Sequence, residues 1–197
     1  MLLVIDSATA ACSAALIDGG GVMDQRLELI GRGHAERLLP LIEELLAGRR
    51  PDAILVDCGP GSFAGVRVGL AAAHGLAIGW SVPLLGYSSL AVVAAATGAA
   101  AVALHGGHGQ LFVQSFACDP LRPLDALQSL LPEDAAAAIG AHRVAGSGAE
   151  ALVSARGYGE AIDALPRAAD ARLLPEGLRS LPAHPIYGRA PDAKPMA

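Results

Sequence analysis

Between Cys58 and Gly69 the chain reads Cys-Gly-Pro-Gly-Ser-Phe-Ala-Gly-Val-Arg-Val-Gly, directly after the apolar run 53–57. A strand entering this run and a helix leaving it would put unpaired N–H groups and the positive end of a helix dipole at the turn, which suits an anion. Ser62 and Arg67 are the residues of this run that could touch a phosphate or nucleotide there. The specific fingerprints are missing. Gly61 and Gly65 stand too close for G-x-x-x-x-G-K-[ST], no Lys-Ser or Lys-Thr follows, and G-x-G-x-x-G does not occur. A structural turn is the plainer reading: Pro60 fixes its own φ, Gly59 and Gly61 accept positive φ, and Ser62 stands where an N-cap belongs. Ser62 or Cys58 could act as a nucleophile only beside a positioned histidine and an acid. G-x-S-x-G is absent at Ser62, and His34 and His74 approach only if the fold brings them there. His105 and His108 lack the third ligand or helical H-E-x-x-H frame of a zinc site, so no metal is expected.

These groups need elements to position them. Strands are predicted at 2–6, 11–18 and 22–30, with a glycine-rich hairpin turn at 18–21. A helix over 34–47 carries Leu38, Leu41, Ile42, Leu45 and Leu46 at helical spacing, with Pro40 expected to kink it or reset its first turn. A strand at 53–57, a helix from Ser62 to Trp80, a short strand at 84–86 and a helix from 88 or 89 to 97 complete a first lobe, residues 1–99. Along the helix to Trp80, Gly65, Gly69 and Ala73 recur at i, i+4 and i+8, as do Ala71, Gly75 and Gly79. Two lines of small residues predict close approach of other backbone. Each interior glycine costs a helix about 1 kcal/mol against alanine, so this one depends on packing. The second lobe, 100–197, reads as a hairpin of strands 101–104 and 110–117 around His105 to Gln110. A strand at 142–145, a helix ending near 155 and a short helix around 166–174 follow.

Composition narrows the function classes. With 197 residues and 53% hydrophobic content, one core or two small lobes are expected. A net charge of -5 without a Lys/Arg cluster argues against a main nucleic-acid surface. Three scattered cysteines, Cys12, Cys58 and Cys118, fit a reducing compartment, and no secretory leader is expected, so the chain reads as cytoplasmic. No Asp, Glu, Lys or Arg occurs from Val68 to Cys118. The longest apolar part, 90–104, is shorter than the roughly 20 residues of a bilayer span, so this stretch reads as core plus interface rather than membrane.

Four segments together resemble the bacterial TsaB (YeaZ) family, which serves threonylcarbamoyladenosine biosynthesis in tRNA. They are Ile5 to Thr9 with Cys12 and Ser13; His34 to Pro40; Gly59 to Gly69; and Pro185, Ile186 and Tyr187 with Arg189. The resemblance implies an α/β, two-lobed fold of the actin, sugar-kinase and Hsp70 ATPase type, ribonuclease H-like, with a mixed sheet and a reduced second lobe. It implies a non-catalytic scaffold and activator paired with a TsaD-like catalytic paralogue, with a TsaE-like ATPase, a homodimer in isolation, and tRNA met only through the complex. No intrinsic cofactor is implied; ATP or ADP would sit at the complex interface. Pairing would use the two first-lobe helices, giving His34, Leu38, Leu41, Leu45, Phe63, Val66, Gly69, Leu70 and Ala73 as partner-binding residues. Asp6 would resemble the phosphate-proximal aspartate of the wider fold, against the plainer reading of a strand-end Asp accepting turn N–H bonds. The chain departs from the family at His105 to Gln110, where relatives begin the hairpin with Asp-Ala-Arg, and at Gly188, where leucine is usual. The alternative functions are a glycoprotease-like peptidase and a weak nucleotide-binding protein.

Overall fold

The computed structural model describes residues 1–188; Arg189 lies outside the described residues. Its first sheet begins with an antiparallel meander, β1 (Leu2–Asp6), β2 (Ala11–Asp18) and β3 (Gly21–Leu29). β4 (Ala53–Asp57) then joins β1 in parallel and β5 (Leu84–Tyr87) joins β4, giving the order β3-β2-β1-β4-β5. β1 and β4 are central and read as unbroken apolar runs because both of their faces are covered. Leu3 and Ile5 pack on one face with α1 (His34–Leu46) and α2 (Phe63–Trp80). Val4 points to the other face, where it meets α3 (Ser89–Thr97). α1 runs unbroken through Pro40, so the expected kink or reset does not end the helix.

The second sheet contains β6 (Ala101–Gly107), β7 (Gln110–Cys118), β8 (Leu121–Pro123), β9 (Gln128–Leu130), β10 (Arg143–Ala145) and β11 (Glu160–Ile162). Its order is β11-β10-β6-β7-β8, with β9 also paired to β7, and it carries α4 (Pro132–Ala138) and α5 (Ala149–Arg156). β8, β9, β11 and α4 were not foreseen, since three-residue strands and a seven-residue helix are too short to show a period. The helix expected at 166–174 is a 3-10 helix, Ala168–Leu173. The charge-free middle includes α3, whose Leu90, Ala91, Val92, Val93 and Ala94 are buried in the core shared by the two sheets.

The C-terminal part crosses back to the first lobe, although sequence placed it with the second. Ala168 N donates to Ser13 Oγ at 3.0 Å. Leu181 pairs with Gly86 through bonds of 2.7 and 3.0 Å, and Ile186 N donates to Cys58 O at 2.8 Å. Residues 181–187 thereby strap the β5 edge.

Candidate functional site

The turn after β4 is built as its residue types require. Gly59 has φ +92°, and its N–H donates to Asp57 Oδ1 at 2.7 Å. Ser62 caps α2, its Oγ accepting from Gly65 N at 3.3 Å. Gly61 is needed for a different reason from the one expected. Its φ is not positive, but a Cβ there would overlap the Ala8 carbonyl. A Cβ on Gly65 would likewise overlap the Ser7 carbonyl, and one on Gly69 would lie 2.6 Å from Ser7 Oγ. Ser62 N donates to Ala8 O at 2.7 Å and Ser7 Oγ to Gly65 O at 2.9 Å. The first line of small residues is therefore spent within the chain, seating α2 against the β1–β2 turn.

The second line is open. Ala71, Gly75 and Gly79 are exposed, a Cβ added at Gly75 or Gly79 would touch nothing within 4 Å, and Ile78 beside them is 78% exposed. Of the nine partner-binding residues expected, eight (His34, Leu38, Leu41, Leu45, Val66, Gly69, Leu70 and Ala73) are buried in this chain's own core. Only Phe63, at 65% exposure, is available to a partner. Helical periodicity marks the buried stripe of an amphipathic helix, so it selected the core side. The outward face carries Leu39 and Pro40 on α1, and Ala64, Ala71, Gly75 and Ile78 on α2. α2 has the length and apolarity of a membrane-crossing helix, yet its inner face packs on β1 and β4.

Asp6, Ser62 and Arg67 do not converge. Ser62 and Arg67 line an interlobe cleft of about 910 Å3, walled on the far side by His105, His108 and Phe112. Asp6 is fully buried beneath it. The Arg67 guanidinium lies 3.3 Å from the Phe63 ring centre and donates to Tyr187 Oη at 2.9 Å. No group of three metal-ligating side chains occurs among the described residues. His34 Nε2 lies 3.3 Å from Ala11 O and His74 Nε2 lies 3.1 Å from Ala183 O, so both rings are engaged by backbone carbonyls and neither bonds Ser62 or Cys58. Burial, with Asp57 adding to it, pushes the Cys58 thiol up to about 12, far from an active thiolate.

What sequence reading missed lies at the carboxyl ends of β1 and β4, where open α/β sheets ordinarily hold ligands. The β1–β4 register pairs Ile5 with Val56, which brings Asp6 beside Asp57. Both carboxyls are buried, and both titrate well above the usual carboxylate range: burial is the main cause for each, and for Asp6 the Asp57 charge comes next. Ser89 Oγ lies 2.8 Å from each Asp57 oxygen, and Gly59 N also donates to that carboxylate. Asp6 accepts from Ala8 N at 3.1 Å through Oδ1, while its Oδ2 has no other partner. The donors gathered on Asp57 favour its charged form, and Asp6, which has fewer, is the carboxyl more readily held neutral. The two strand-end aspartates are visible in sequence, but their adjacency depends on strand pairing.

Residues 17–121 match the family model described as tRNA N6-adenosine threonylcarbamoyltransferase, TsaD. YeaZ from Pseudomonas aeruginosa superposes with a TM-score of 0.78 at 32% identity, covering 94% of this chain and 98% of that one. An uncharacterised Mycobacterium tuberculosis protein is 33% identical over 218 residues, covering 100% of this chain and 95% of the relative. The chain belongs to the TsaB/YeaZ family. Its architecture is accordingly the two-lobed actin-like fold. The Escherichia coli protein described as tRNA threonylcarbamoyladenosine biosynthesis protein TsaB is 41% identical over 98 residues. That match covers 47% of this chain and only 42% of the E. coli protein.

Proposed function

We propose that this TsaB/YeaZ-family chain is a non-catalytic scaffold and activating subunit that pairs with a TsaD-like paralogue for threonylcarbamoyl transfer to adenosine in tRNA. The observation that carries the reading is the outer ridge of α2. From Val68 to Trp80 it bears no charge, and Ala71, Gly75 and Gly79 leave it low enough for a partner helix to approach closely. Isolated exposed glycines weaken a helix, so their presence along one line suits a contact made outside the chain. The family names support the pathway, and the sealing of Asp6 and Asp57 supports a chain that does not itself handle substrate at its strand ends. A homodimer in isolation would use the same ridge, and tRNA, a TsaE-like ATPase and any ATP or ADP would be met in the assembled cytoplasmic complex.

The test is threonylcarbamoyladenosine formation on unmodified tRNA by the cognate TsaD-like subunit, TsaE-like ATPase and threonylcarbamoyl-adenylate, with and without this chain. The expected result is dependence on the chain and its loss with Ala71→Arg, while urea stability stays within about 0.5 kcal/mol of the parent. An unchanged rate without the chain refutes the reading. Gly69→Arg cannot serve here, since it would strike Ser7 and disturb the fold.

A further inference from the structure

β3 is an edge strand of nine residues, and among the described residues no strand covers its outer side. Ile30 N donates to Ala10 O at 3.1 Å, which fixes the phase of the ladder in a register pairing Ala11 with Leu29 and Ala15 with Gln25. Alternate residues of an antiparallel pair turn both backbone groups the same way, so Gln25, Leu27 and Leu29 aim theirs outward. Their side chains share the face away from α1, where Leu27, Leu29 and the neighbouring Met23 are exposed. An outward row of amides beside exposed apolar side chains is a template for another strand.

The middle of that row is already occupied. Gln25 N donates to Asp24 Oδ1 at 2.9 Å, and Arg26 Nη1 donates to Gln25 O at 2.8 Å. The same Arg26 nitrogen bonds Asp24 Oδ1 at 2.7 Å, closing a ring of side chains around one peptide position. Arg49 Nη2, 3.2 Å from Asp24 Oδ2, holds the carboxylate from α1's end. On the other side of this ring the register slips between Leu16 and Ile17, leaving Met23 bulged out of the ladder. On the far side of the bracket Leu27 and Leu29 keep free outward groups, too short a run to nucleate pairing.

We propose that the Asp24–Arg26 bracket guards this edge, and that the partner it excludes is a second copy of β3 running antiparallel about Gln25. The strand is self-complementary in that register. Asp24 would face the other copy's Arg26 on either side of the central Gln25 pair. Removing the bracket thus exposes a surface that fits itself.

The experiment compares Asp24→Thr/Arg26→Thr with its parent by sedimentation, both carrying Ala71→Arg so that the α2 ridge cannot contribute. Threonine keeps strand propensity but cannot span the bracket. The expected result is a rise in self-association of about tenfold or more, abolished by adding Gln25→Pro. That proline removes an outward N–H and leaves the ladder to β2 intact. Equal association of variant and parent, or association that survives Gln25→Pro, overturns the proposal. Hydrogen exchange on the unaltered protein gives a test independent of folding. The Gln25 amide exchanges more slowly than that of Leu27 if the bracket holds, and no slower if it does not.

Discussion

Asp6→Asn should stabilise the protein at neutral pH and remove part of its stability loss with rising pH, leaving the share that Asp57 contributes. In the folded chain Asp6 titrates above its unfolded value of 3.8, so between the two values the native state holds a proton that the unfolded chain has released. Stability is therefore highest below the unfolded value and falls as pH rises toward the folded one. One retained proton corresponds to about 1.4 kcal/mol per pH unit, or about 3 kcal/mol over two units. Asparagine preserves the shape without the titration: its Oδ1 still accepts from Ala8 N, and its Nδ2 puts a permanent donor where Asp6 Oδ2 has no partner. Asp57→Asn has the opposite effect. It sets an amide against the groups that now donate to Asp57, Gly59 N and Ser89 Oγ, and costs about 1–3 kcal/mol. The assay is urea unfolding across a pH series with m-values held in common. A wild-type slope in Asp6→Asn, or equal losses in the two variants, refutes the assignment of the proton to Asp6.

Further substitutions separate the two glycine lines of α2. Gly65→Ala forces a Cβ into the Ser7 carbonyl and should cost about 3 kcal/mol or more, read as a lowered urea midpoint, whereas Gly75→Ala meets nothing and should gain up to about 1 kcal/mol. Ser62→Ala should lose about 1 kcal/mol by removing the cap on Gly65 N, and Ser62→Asp should restore it in the same denaturation assay. Ser89→Ala takes the hydroxyl from Asp57 and should cost about 1–3 kcal/mol, with the loss growing toward high pH as the carboxylate demands its donor.

Much of the first lobe was legible before any coordinates. The glycine-rich hairpin turn after β2, the apolar block 53–57, the Ser62 cap and the end of α2 at Trp80 are local signals, and the elements follow them within a residue or two. The second lobe was less so, because β8, β9 and β11 are held by pairing with β7 and β10 rather than by any pattern of their own. The site residues divide in the same way. Leu38, Leu41 and Leu45 announced a buried stripe, but periodicity does not say whether the burying surface belongs to the same chain or to another.

By itself, then, the sequence determined the turn chemistry at 59–62, the helix that follows, the charge-free middle and the family resemblance, since each is written in residue types a few positions apart. Tertiary structure decided which glycine line of α2 was consumed, because that depends on the β1–β2 turn reaching residues nearly sixty positions away. It also decided that burial and Asp57 together hold the titration of Asp6 high, because two strand-end carboxyls become a pair only when β1 and β4 lie side by side and water is excluded.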